Sequence, residues 1–97
     1  MSKPAYLVVD ARSSDPERMV EYRRLAQIAV EQYGGRYLAR GAPYVTLEGN
    51  WQPQRLVLLE FPSMDLARTF YDSPEYLAAR NVRAEVSNFD VVLIEAY

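Results

Sequence analysis

Two runs of four consecutive apolar residues, Leu56-Val57-Leu58-Leu59 and Val91-Val92-Leu93-Ile94, constrain this chain more than any other feature. Each is short and flanked by charged residues, so each reads as a strand that is apolar on both faces. A sheet built from such strands needs cover on two sides. The 97 residues make a single domain over 1–97, and their helical segments can cover only one of those sides. Left in water, the other side would be a continuous apolar patch of a kind that monomers seldom carry. The expected cover is therefore a second copy, stacked sheet on sheet in a homodimer.

The remaining elements follow from periodicity and punctuation. Ala5 to Ala11 alternate as a first strand, with Ala5, Leu7, Val9 and Ala11 on one face. Ser14-Asp15-Pro16-Glu17 has the pattern of a helix start. Met19, Tyr22, Ala26, Ala29, Val30 and Tyr33 then recur at helical spacing, and Gly34-Gly35 ends the helix. A second strand is expected from Arg36 to Glu48, with a bulge or edge position where Gly41-Ala42-Pro43 interrupts it. Gly49 to Pro53 reads as the turn of a hairpin into a third strand, Arg55 to Phe61. Ser63 and Ser73 each open a short helix, and Phe89 to Glu95 forms the last strand. This β, α, β, β, α, β order predicts an α+β, ferredoxin-like βαββαβ sandwich, a four-stranded antiparallel sheet with its helices on one face.

Composition removes several chemistries. The chain has no cysteine and no histidine, which excludes disulfides, thiolate nucleophiles, ordinary zinc sites, histidine-ligated haem and a Ser-His-Asp triad. No tight acidic cluster suggests a hard cation, so neither a metal nor a cofactor is expected. Net charge is −2, and the arginines are spread along the chain, unlike a surface that tracks nucleic acid. No apolar run has the length of a bilayer span, and the start shows no signal peptide, so the expected location is cytoplasmic.

The ordered set Tyr22-Arg23, Tyr33-Gly34-Gly35-Arg36-Tyr37, Arg40-Gly41, Leu47-Glu48-Gly49, Arg55, Glu60-Phe61-Pro62-Ser63 and Ser73-Pro74-Glu75-Tyr76 resembles one family over nearly the whole chain. That family is the domain of unknown function thirteen-thirty, of the dimeric α/β-barrel superfamily. The resemblance implies a dimeric barrel. It implies no single reaction, since the superfamily includes cofactor-free monooxygenases, isomerases, cyclases and haem-degrading enzymes. Where the family often carries a second glycine after Arg-Gly, this chain has Ala42.

Charged and aromatic residues supply the candidate site, a pocket between sheet and helices for a small anionic or aromatic organic molecule. Arg40 and Glu60 are the catalytic candidates: arginine would hold a carboxylate or enolate, and an unpaired, desolvated Glu60 would move a proton. Paired with an arginine, Glu60 would instead be an ionised structural anchor. Glu48 and Arg55 flank the expected hairpin and could pair across it or face a ligand. Tyr22, Arg23, Tyr37, Tyr71 and Tyr76 are ligand-binding candidates; the tyrosines also suit the rim of a core. Ser73 caps a helix or faces the cleft, with no base placed to activate it. A non-catalytic metabolite-binding or regulatory module and a purely structural dimer are the alternatives.

Overall fold

The computed structural model describes residues 3–97. Its elements run β1 (Ala5–Ser13), α1 (Pro16–Gln32), β2 (Arg36–Arg40), β3 (Leu56–Phe61), α2 (Met64–Tyr71), α3 (Pro74–Arg83) and β4 (Ser87–Glu95). The four strands form one antiparallel sheet in the order β2-β3-β1-β4. This is the ferredoxin-like α+β arrangement, with the sheet open rather than closed into a barrel.

Local chemistry explains the helix boundaries. Asp15 caps α1 by accepting the Arg18 backbone N–H, and Pro16 occupies the first turn, where its missing N–H is harmless. Gly34, at a positive φ of 80°, turns the chain out of α1. Ser63 and Ser73 cap α2 and α3 by accepting the N–H groups of Leu66 and Tyr76. Between the two short helices, the Ser73 hydroxyl also donates to the Phe70 carbonyl at 2.7 Å, which fixes the break at a buried position.

The core lies between the helices and one face of the sheet. Leu7, Val9 and Ala11 of β1 and Val57, Leu59 and Phe61 of β3 meet Tyr22, Ala26 and Val30 of α1 and Phe70, Tyr76 and Ala79 of the shorter helices. Phe61 is fully buried and stacks at a tilt on Phe70, centroids 4.9 Å apart. Strand parity places Tyr6, Val8, Leu56, Leu58, Val92 and Ile94 on the opposite face, which no helix covers. Val92 and Ile94 there are 59% and 55% exposed.

Strand two is shorter than its sequence suggests. It ends at Arg40, and residues 41–55 are irregular and run outward, with Val45 and Leu47 largely in solvent. The β3 residues Val57 to Glu60 are already paired with Arg36 to Arg40, so the apolar stretch Tyr44–Leu47 finds no ladder to join. The interruption expected at Gly41-Ala42-Pro43 is thus the strand's end. The bulge lies earlier, between Tyr37 and Ala39, on a strand that is an edge as anticipated.

Candidate functional site

A narrow slot of about 50 Å³ opens between the helices and the covered face of the sheet, room for a few water molecules in its present shape. Its floor is apolar: Leu7, Val9, Val57 and Leu59. Aromatic rings make its walls. The Tyr22 and Tyr76 hydroxyls share a buried 2.6 Å hydrogen bond at the helix side, and Phe89 meets the Tyr22 ring edge-on with centroids 5.4 Å apart. Burial, then the neighbouring Tyr76, pushes the Tyr22 phenol well above the ordinary tyrosine value. Burial also raises Tyr37, against the opposing pull of Arg40. Both phenols are therefore neutral hydrogen-bonding groups at physiological pH.

Three arginines from three elements converge on this slot: Arg23 of α1, Arg40 at the end of β2, and Arg55 just before β3. Arg40 lies over the Tyr37 ring at 4.2 Å, donates to Gln27 at 2.7 Å and reaches the Arg23 carbonyl at 3.3 Å. The Arg55 guanidinium lies against Gly41, whose φ of +69° and missing side chain leave room for it. Among the described residues, the carboxylates in ion pairs belong to Arg12, Arg24 and Arg36; Arg23, Arg40 and Arg55 have none. Burial, and then repulsion from Arg23 and Arg40, lowers the Arg55 pKa from the ordinary arginine value. The slot is thus apolar and aromatic, with three guanidinium groups that have no carboxylate partner among the described residues.

Of the ten candidate residues, Tyr22, Arg23, Tyr37, Arg40, Arg55, Tyr71 and Tyr76 line the slot. Glu60, Glu48 and Ser73 do not. Glu60 faces the uncovered side of the sheet and accepts from Arg36 Nε at 2.8 Å, so it is not brought together with Arg40. This is the structural-anchor alternative for Glu60, and among the described residues no carboxylate lines the slot. Glu48 is exposed in the 41–55 segment, where no second strand sets it opposite Arg55, and the expected cross-strand ion pair does not form. Ser73 is committed to its two capping bonds. Sequence reasoning passed over Phe89, although its parity with Val91 and Leu93 in β4 places it on the same face as they are. It also passed over Gly41 as a seat for Arg55, for which the sequence holds no signal beyond the Arg-Gly pair itself.

Comparison with known proteins agrees with this architecture. No curated protein matches the chain. Among solved structures, a protein of unknown function from Rhodopseudomonas palustris superimposes with a TM-score of 0.77 at 17% identity, covering 100% of this chain and 85% of the other. A dimeric ferredoxin-like protein of unknown function from Thermobifida fusca gives 0.68 at 19% identity, with 99% and 93% covered. SnoaB, a cofactor-independent oxygenase from Streptomyces nogalater, gives 0.66 at 11% identity, with 99% and 95% covered. These likenesses establish the fold. Residues 4–97 match the family described as Domain of unknown function (DUF1330), and the chain belongs to that family.

Proposed function

We propose that the protein is a homodimer that binds a small, planar organic anion in the slot between its helices and its sheet. The observation that carries this reading is the convergence of Arg23, Arg40 and Arg55, without a carboxylate partner among the described residues, on a cavity otherwise apolar and aromatic. An aromatic carboxylate or phenolate satisfies both features once the slot widens beyond its present volume of about 50 Å³ to admit the ring, which then packs on the apolar floor and walls while its oxygens accept the guanidinium N–H groups. The uncovered sheet face supports the dimer, because sheet-on-sheet stacking removes Val92, Ile94 and Leu58 from water and closes two open sheets into a barrel.

The test is ligand-induced stabilisation. In a panel of carboxylates and phenols, salicylate and related aromatic anions should raise Tm, and Arg40→Ala should abolish the rise. A panel without effect, or an undiminished shift in Arg40→Ala, overturns the binding assignment. Sedimentation that shows only monomer at high concentration overturns the dimer.

The structural likeness to a cofactor-independent oxygenase favours a second reading, in which the bound anion is also transformed. The arginines would then stabilise an enolate or phenolate as charge develops on oxygen. With no carboxylate lining the slot, the substrate would have to enter already ionised or lose its proton to water. Oxygen consumption and product analysis with a bound anion distinguish the readings: unchanged ligand after prolonged incubation leaves binding alone.

A further inference from the structure

Asp10 is a buried carboxylate on the wrong side of the sheet for the slot. Its neighbours Val9 and Ala11 line the cavity, so β1 parity turns Asp10 to the uncovered face, where it is only 4% exposed. It is satisfied there by residues far along the chain. Asp10 Oδ1 accepts the Gln54 backbone N–H at 3.1 Å, and Oδ2 accepts the Trp51 indole N–H at 3.4 Å and a hydrogen bond from Arg12. Trp51 and Gln54 both belong to the irregular 41–55 segment, which is tied to itself by Tyr44 Oη to the Pro53 carbonyl and Thr46 Oγ1 to the Trp51 carbonyl, each 2.7 Å.

The residue immediately after Gln54 is Arg55. Its carbonyl accepts the Ala11 N–H at 2.9 Å, while its side chain reaches the slot and rests on Gly41. Gly41 is held in turn by its N–H to the Leu56 carbonyl at 3.0 Å. Arg40 immediately precedes the segment and Arg55 ends it, so two of the slot's three cations bound it, and its body is fastened to the opposite face by one carboxylate. A charge-assisted hydrogen bond donated by a backbone N–H to a buried carboxylate is among the stronger tethers available to a loop.

We propose that Asp10 is a positioning residue for the slot: by clasping Gln54 and Trp51 on one side of the sheet, it holds Arg55 in place on the other. The proposal rests on the reading of the slot as an organic-anion site, but it concerns the order of Arg55 and can be decided without a ligand. The experiment uses the full chain with Asp10→Ala, Asp10→Asn and Arg12→Ala. Two quantities are read: salicylate affinity by calorimetry, and mobility of the Arg55 Nε–H group by ¹⁵N relaxation. Asp10→Ala should weaken salicylate about tenfold and release Arg55 to fast motion. Asp10→Asn keeps an oxygen for the Gln54 N–H but turns a donor toward the Trp51 indole, so both quantities should fall between those of the unmodified protein and Asp10→Ala, close to those of Trp51→Phe. Arg12→Ala should leave both near those of the unmodified protein, which separates the clasp from the Arg12–Asp10–Asp90 charge network.

An Arg55 as ordered in Asp10→Ala as in the unmodified protein overturns the proposal. So does an Asn variant as impaired as the Ala variant. If Asp10→Ala does not fold, Trp51→Phe removes one bond of the clasp at an exposed site; it should loosen Arg55 measurably, and no change there is equally fatal. A protein that fails to bind salicylate at all, yet loses Arg55 order in Asp10→Ala, defeats the binding reading and sustains the positioning role.

Discussion

Two glycines with the same backbone strain and different neighbours separate the structural from the functional consequences of a substitution. Gly41 and Gly49 adopt φ values of +69° and +89°, which side-chain-bearing residues enter at a cost of about 1–2 kcal/mol. A Cβ at Gly49 would meet nothing within 4 Å, whereas at Gly41 it would lie 2.2 Å from Arg55 Nη1 and 2.6 Å from Cζ. Gly49→Ala should therefore show the backbone penalty alone, a fall in Tm of about 4–8 °C per kcal/mol for a domain of this size. Gly41→Ala should fall by a similar amount, because the guanidinium is the free end of a flexible side chain and can swing away at little steric cost. Its seat in the slot is lost, however. An arginine's charged hydrogen bond contributes about 1.5–3 kcal/mol, so salicylate should bind about 10–150-fold more weakly to Gly41→Ala than to Gly49→Ala. Thermal melts and calorimetry on the two variants give both numbers. Equal salicylate affinities would refute the role assigned to Arg55.

Glu60→Gln should leave salicylate affinity unchanged, since Glu60 faces away from the slot and pairs with an Arg36 side chain that is 70% exposed; a substantial loss by calorimetry would restore Glu60 to the site. Stability should decline as pH rises past about 10, the ordinary tyrosine value. There the unfolded chain's tyrosines ionise while Tyr22 and Tyr37 stay protonated, so the folded state binds more protons and loses its advantage until their own raised pKa values are reached; urea midpoints measured on either side of that pH show it. Deleting Leu38 should preserve salicylate binding, because Tyr37, Ala39 and Arg40 then alternate without a break opposite Leu59, Leu58 and Val57. Inserting an alanine between Ala39 and Arg40 should turn Arg40 outward and weaken binding about tenfold, as calorimetry would report.

Much of the fold is legible because its signals are local. Ser63 and Ser73 stand three residues before the N–H groups they accept, Pro16 follows the Asp15 cap, and Gly34 marks the exit from α1. The parity of β1, β3 and β4 is readable from residue to residue, and with it the two-faced apolar character of the sheet. Strand two resists such reading. Tyr44-Val45-Thr46-Leu47 has ample β-propensity, yet a strand exists only where a partner offers free N–H and C=O groups, and β3 has none left for it. The same long-range fact removes the expected Glu48–Arg55 pair. Seven slot residues were legible as types, arginines and tyrosines near strands, but the face each one occupies depends on register.

The bulge between Tyr37 and Ala39 decides that register and hence the existence of the site. In an unbroken strand Arg36, Leu38 and Arg40 would share a face, and both arginines would stand on the uncovered side with Glu60. The extra residue reverses parity midway: Arg36 remains opposite Glu60 and pairs with it, while Arg40 comes opposite Val57 on the covered face and lies over Tyr37 at 4.2 Å. Two arginines four positions apart thus acquire different surroundings, one paired with a carboxylate and one turned to the slot with no carboxylate partner among the described residues. Because β2 is an edge strand, only one ladder is disturbed to achieve this. Arg23 and Arg55 are brought to the slot by a helix face and a clasped segment, so Arg40 is the one cation of the three whose placement rests on a change of strand parity. A chain of the same length whose second strand paired straight through Leu38 without that bulge would keep the sheet and the apolar slot while turning Arg40 to the wrong face.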